Sequence, residues 1–176
     1  MSYLPDELVT VLCVHYSATP IERPYSYAAL EAGHIKRGFR KGGYHYYIRR
    51  NGRVVTGRDM SQAGRFEVGA QSKGENSSSI GICFEGGVTA ARPNVGFDSR
   101  TPAQTKAMIK LLHELQDRFP QSTVVGHRDM PEASTQCPGF DATAWWDGVL
   151  KAEHKVAISP VKRVLNRIFA ALDRAA

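Results

Sequence analysis

His127 and Cys137 stand at the two ends of one loop, in the stretch Val124 to Asp141 (Val-Val-Gly-His-Arg-Asp-Met-Pro-Glu-Ala-Ser-Thr-Gln-Cys-Pro-Gly-Phe-Asp). Imidazole nitrogen and thiolate sulfur are ligands that zinc prefers, and a Pro-containing loop of this length lets both reach one ion. Two ligands do not complete a site. A catalytic zinc takes a third protein ligand and keeps one position open for water. His15 is a candidate for the third, because it ends the apolar run Leu8 to His15, where a buried strand delivers side chains to an edge. A lone strand-end His more often bonds a backbone carbonyl, so both readings of His15 stand at this point. Cys13, two residues earlier on the same strand face, reads as a buried structural thiol.

The elements that must position these residues alternate in type along the chain. Thr123 to Val125 is a β-branched run that carries Gly126 and His127 to a strand end. Ser26 to Lys36 reads as a helix, with Ser26 as N-cap and Gly38 beyond its end. Gly42 to Arg50 and Arg53 to Arg58 read as a hairpin around a two-residue Asn51-Gly52 turn. Its first strand puts Tyr44, Tyr46 and Ile48 on one face and His45, Tyr47 and Arg49 on the other, one of which must cover the core. Residues 61–78 lack periodicity and read as a long functional loop, and Ser79 to Glu85 returns to strand, closed by Gly86-Gly87. Thr101-Pro102 opens a helix that runs to Phe119 with Ala107, Met108, Leu111, Leu112 and Leu115 in register to cover one sheet face, and Pro120 stops it. Asp141 caps a further helix through Trp145, Trp146 and Leu150. The expected fold is α/β, a central mixed β-sheet flanked by helices, with one domain over residues 1–152 and a linker and C-terminal helix over 153–176.

The 176 residues, 42% hydrophobic, suffice for one domain with a real core. A formal charge of +6 points to an anionic partner, which charge alone leaves open among nucleic acid, membrane and cell-wall polymer. Three widely spaced cysteines argue against a disulfide framework. The N-terminus has neither the basic start nor the apolar core of a signal peptide, and no run reaches the roughly 20 apolar residues of a membrane span, so synthesis in the cytoplasm is expected. From Ser159-Pro160 the pattern turns helical, with Val161, Val164, Leu165, Ile168, Phe169, Leu172, Ala175 and Ala176 on one face. Lys162, Arg163, Arg167 and Arg174 lie opposite with the single acid Asp173. Such a helix either lies on an anionic membrane or docks its apolar face on the domain.

Five segments carry a family resemblance: Val14 to Thr19 (Val-His-Tyr-Ser-Ala-Thr), Gly43 to Gly52, Ser79 to Gly87, Thr101 to Gln104, and Gly126 to Asp129 followed by Cys137 to Asp141. Together, in order over residues 8–150, they resemble the zinc-dependent N-acetylmuramoyl-L-alanine amidases of the type 2 family, which includes T7-type phage lysozymes and peptidoglycan recognition proteins. The resemblance implies that His15, His127 and Cys137 hold Zn2+ with water in the fourth position. It implies that Tyr44 is catalytic, its phenol orienting the water or donating to a developing oxyanion. His34, Gln71 and Asn76 become candidates for substrate binding, and peptidoglycan becomes the expected partner of a monomer, in place of nucleic acid. The implied function is that of a phage-type endolysin that cuts the amide between N-acetylmuramic acid and L-alanine, reaching the wall after pore formation or lysis.

Two positions depart from the pattern. T7-type enzymes carry Lys two residues before the cysteine ligand; here Thr135 takes that place, as in many peptidoglycan recognition proteins, and is the second candidate catalytic residue, offering only a neutral hydrogen bond. Gln71 stands where the family often has His, which weakens the substrate-binding reading there. The loop from His127 to Cys137 is also slightly longer than in T7-type proteins. Two other function classes stay in view: a module that binds peptidoglycan without cutting it, and a T7-type regulator of an RNA polymerase. A structural zinc in an unrelated domain fits less well, since such sites fill all four positions with protein ligands.

Overall fold

The computed structural model describes residues 2–156, and the amphipathic segment 159–176 lies outside them. The chain divides into two compact units, with the break after Thr143. The first unit is built on a five-stranded sheet. Its strands are β2 (Val11–Tyr16), β4 (Tyr46–Ile48), β5 (Val54–Thr56), β7 (Ser79–Phe84) and β9 (Thr123–Gly126), in the order β5-β4-β7-β2-β9. β4, β7, β2 and β9 run parallel, and β5 is antiparallel to β4, which makes the sheet mixed, as the sequence predicts. Val14 pairs with Gly126, so one residue further on His15 and His127 leave the same sheet edge side by side. Crevices at the carboxyl ends of parallel strands are where α/β folds bind ligands.

Both faces of the sheet are covered. Tyr47 and Cys83 pack under Leu30 of α1 (Tyr27–Lys36), while Ile48, Ile82 and Phe84, of the opposite alternation, are fully buried too. The expectation that one face of the Tyr44–Arg49 segment covers the core is thus corrected to both, because β4 is an interior strand. The Ser26 side chain accepts from the Ala29 N–H at the start of α1, and Gly38 at φ 91° follows its end. α2 (Pro102–Arg118) opens with a full capping box between Thr101 and Gln104, buries Met108, Leu111, Leu112 and Leu115, and contacts β4. A third helix, α3, spans residues 142–156.

Three readings change. The strand expected from Leu8 begins at Val11, because Asp6–Leu8 forms a 3-10 turn. The hairpin loop has three residues: the Gly52 N–H donates to Arg49 O at 2.8 Å, Gly52 sits at φ 84°, and Arg49 N–H donates to Arg53 O. That is a type I turn followed by a left-handed Gly, the other loop that an Asn-Gly pair serves. The loop 61–78 contains β6 (Arg65–Glu67), which pairs with β1 (Tyr3–Pro5). A further short pair joins β3 (Thr19–Pro20) to β8 (Gly87–Val88).

Candidate metal centre

His15, His127 and Cys137 converge. One ligand atom from each lies within 4.8 Å of the others, and the two imidazole centroids are 4.4 Å apart. Cys137 reaches the histidines because the loop after β9 folds back: the Arg128 N–H donates to Cys137 O at 2.7 Å, and the Tyr16 N–H donates to Cys137 Sγ at 3.2 Å. The fit to an ion follows from distances. Zinc–nitrogen and zinc–sulfur bonds of about 2.1 and 2.3 Å at tetrahedral angles set neighbouring ligand atoms about 3.5 Å apart. Cys137 Sγ lies 3.8 Å from His15 Nδ1.

Electrostatics suits a metal ion as well. Burial, reinforced by neighbouring His127, pushes His15 down to about 3, and burial also lowers His127, so both rings are neutral with a lone pair to offer. Burial pushes the Cys137 thiol up to about 12 despite the Tyr16 N–H bond, so without a cation the sulfur keeps its proton. All three cysteines are free, and Cys13 is buried as expected.

Beside the triad opens a cleft of about 500 Å³, lined by His127, Cys137, Tyr44, His34 and Thr135 among others. The Tyr44 ring lies 5.0 Å from that of His15 and 5.5 Å from that of His34. Burial raises the Tyr44 phenol well above its ordinary value, which keeps it protonated. His34 Nδ1 accepts the Gly43 N–H at 2.8 Å, and burial, then Arg37 and Arg58, lower its pKa to about 4. The neutral ring therefore carries its proton on Nε2. Thr135 Oγ1 accepts the Cys137 N–H at 3.2 Å, shaping the loop that presents the sulfur.

Gln71 and Asn76 do not line this cleft. Gln71 Oε1 bonds His15 Nε2, and Asn76 Oδ1 accepts the Gln71 N–H at 2.7 Å. The Gln71 amide and the Asn76 amide oxygen are thus engaged on the scaffold behind His15. Tyr16, Tyr25 and Arg37 also line the cleft, beyond the residues expected from the sequence. Arg37 had a visible signal, since it lies three residues beyond His34 at the end of one helix.

The sequence matches the family described as N-acetylmuramoyl-L-alanine amidase over residues 5–140. It is 37% identical over 133 residues to an endolysin of Enterobacteria phage K11, covering 75% of this chain and 82% of that protein. Identity is also 37% over 135 residues to an endolysin of Klebsiella phage KP32, covering 76% and 83%. Among solved structures, the N-acetylmuramoyl-L-alanine amidase LysC from Clostridium intestinale URNW matches with a TM-score of 0.64 at 23% identity over 88% of this chain and 91% of that one, a likeness of fold. From a match that spans most of the chain and takes in every strand of its central sheet, the protein belongs to the N-acetylmuramoyl-L-alanine amidase family.

Proposed function

We propose that the chain is a peptidoglycan hydrolase that cleaves the amide between N-acetylmuramic acid and L-alanine, with zinc held by His15, His127 and Cys137. The observation that carries this reading is the convergence of two neutral imidazoles and one thiol beside a cleft that also holds Tyr44. A zinc ion with three protein ligands supplies water activation near neutral pH and polarises a carbonyl. The chain's own residues do the rest. Tyr44, kept protonated by burial, donates to the oxygen that gains charge as the amide is attacked. His34 offers its Nε2–H to a substrate carbonyl from the cleft wall, fixed in that tautomer by the Gly43 N–H. Thr135, whose oxygen is engaged by the Cys137 N–H, retains its hydroxyl proton as a neutral donor where T7-type enzymes have a cation. The cell wall is the place of action. The test is mass spectrometry of products from purified sacculi: free stem peptides and intact glycan are expected, whereas new reducing ends would overturn the reading.

A further inference from the structure

Behind His15 lies a chain of polar contacts that the reaction itself does not use. Gln71 Oε1 bonds His15 Nε2, and Gln71 Nε2 donates to Ser79 Oγ at 2.7 Å. Ser79 Oγ in turn donates to Glu75 O at 2.6 Å. The order of donors is forced. A serine hydroxyl has one proton, and this one goes to a carbonyl that can only accept, so Ser79 must receive from the amide NH2 of Gln71. The amide oxygen then faces His15, and because that oxygen only accepts, His15 carries its proton on Nε2. The remaining lone pair is on Nδ1, the atom 3.8 Å from Cys137 Sγ.

Two further features hold Gln71 in place. Asn76 Oδ1 accepts the backbone N–H groups of both Gln71 and Ser72, at 2.7 and 3.1 Å. Gly81 leaves room on the sheet, where a Cβ would come within 2.5 Å of Gln71 Cγ.

We propose that Gln71 is a positioning residue for the metal centre: it holds His15 in the Nε2–H tautomer and aims Nδ1 at the ion. This rests on the metal reading above. Outer partners of ligating histidines contribute typically 10- to 100-fold in metal affinity. Gln71→Leu keeps much of the volume and removes the acceptor, so its zinc affinity should fall by about that factor. Gln71→Glu, which keeps an acceptor at the same reach, should stay within a few-fold of the unchanged protein or bind more tightly. Gln71→Asn draws the acceptor back by one methylene and should behave like Leu, which keeps the test open if the Leu variant does not fold.

The experiment is competition for Zn2+ against a chromophoric chelator at fixed pH, with melting of the zinc-free proteins alongside. Nitrogen-15 NMR of the zinc-loaded protein supplies the tautomer directly, and Nε2–H with Nδ1 metallated is the expected form. A merely structural role would lower zinc-free melting in all three variants without sorting zinc affinity by the presence of an acceptor. An unchanged protein that binds no zinc overturns the metal reading and this inference together. Tight binding matched by Gln71→Leu and Gln71→Asn, or a His15 metallated through Nε2, overturns the inference alone.

Discussion

Tyr44 is the residue whose role separates most cleanly from structure, because Tyr44→Phe deletes one hydroxyl and almost no volume. If that hydroxyl donates to the developing charge, turnover should fall at least tenfold, and by roughly 10²- to 10³-fold if it is a full oxyanion donor. Zinc content and wall binding should stay as they were, and a variant with unaltered turnover would remove Tyr44 from the chemistry. For the metal, about one zinc per chain is expected, with activity lost in a chelator and regained on adding zinc. Cys137→Ser should keep the fold and lose hydrolysis, checked by circular dichroism beside the sacculus assay. The triad was legible because His and Cys are chemically distinctive and the loop ends flag two of them. Gln71 was legible only as a residue type: its partner His15 is 56 positions away, and which nitrogen it meets is a tertiary fact. Thr135 likewise reads as a missing cation, whereas its bond to the Cys137 N–H appears only once the loop is folded.

At the scale of elements, parallel pairing of β2 with β9 sets the two histidines side by side, and the strands themselves were plain in the apolar runs. α1 and α2 were legible from their caps, since Ser26 and Thr101 satisfy orphan N–H groups that few other residue types could. β1, β3, β6 and β8 were not, because these two- and three-residue strands show no periodicity and, unlike the equally short β4 and β5 joined by the Asn51-Gly52 turn, owe their pairing to distant partners. β6 matters more than its length suggests. Its Glu67, 1% exposed, accepts from the Asp59 N–H at 2.7 Å, from Lys41 at 2.8 Å and from Arg58 at 3.1 Å. Burial works to raise the Glu67 pKa, but these bonds outweigh it and leave it lowered. A carboxylate with a lowered folded-state pKa contributes stability above the unfolded value of about 4.3 and loses it as pH falls through the folded value. The melting temperature should therefore drop on acidification below about pH 4. Glu67→Gln should cost about 3 kcal/mol near neutrality by stranding Arg58 and should flatten that drop. Parallel melting curves for the two proteins between pH 6 and 3 would show that the network is not the acid-sensitive part.

For the whole molecule, the open question is what residues 159–176 contribute. No described helix is long and apolar enough to cross a membrane. The basic and apolar faces in the sequence of residues 159–176 suit a helix lying on an anionic membrane surface. We propose that role, and a truncation after residue 158 tests it against docking on the domain. The family match ends at residue 140, so the catalytic unit is expected to fold and hydrolyse isolated peptidoglycan at a nearly unchanged rate without the segment. Killing of intact Gram-negative cells and binding to anionic vesicles should fall, and more steeply at low salt, where the charge of Lys162, Arg163, Arg167 and Arg174 is least screened. Docking predicts the reverse pattern. Burying Val161, Val164, Leu165, Ile168, Phe169 and Leu172 would contribute about 1.5 to 3 kcal/mol for each side chain fully covered, so removing a docked helix should lower the melting temperature by many degrees. A shortened chain that melts early and still binds anionic vesicles as well as the full-length chain would rule out the membrane role.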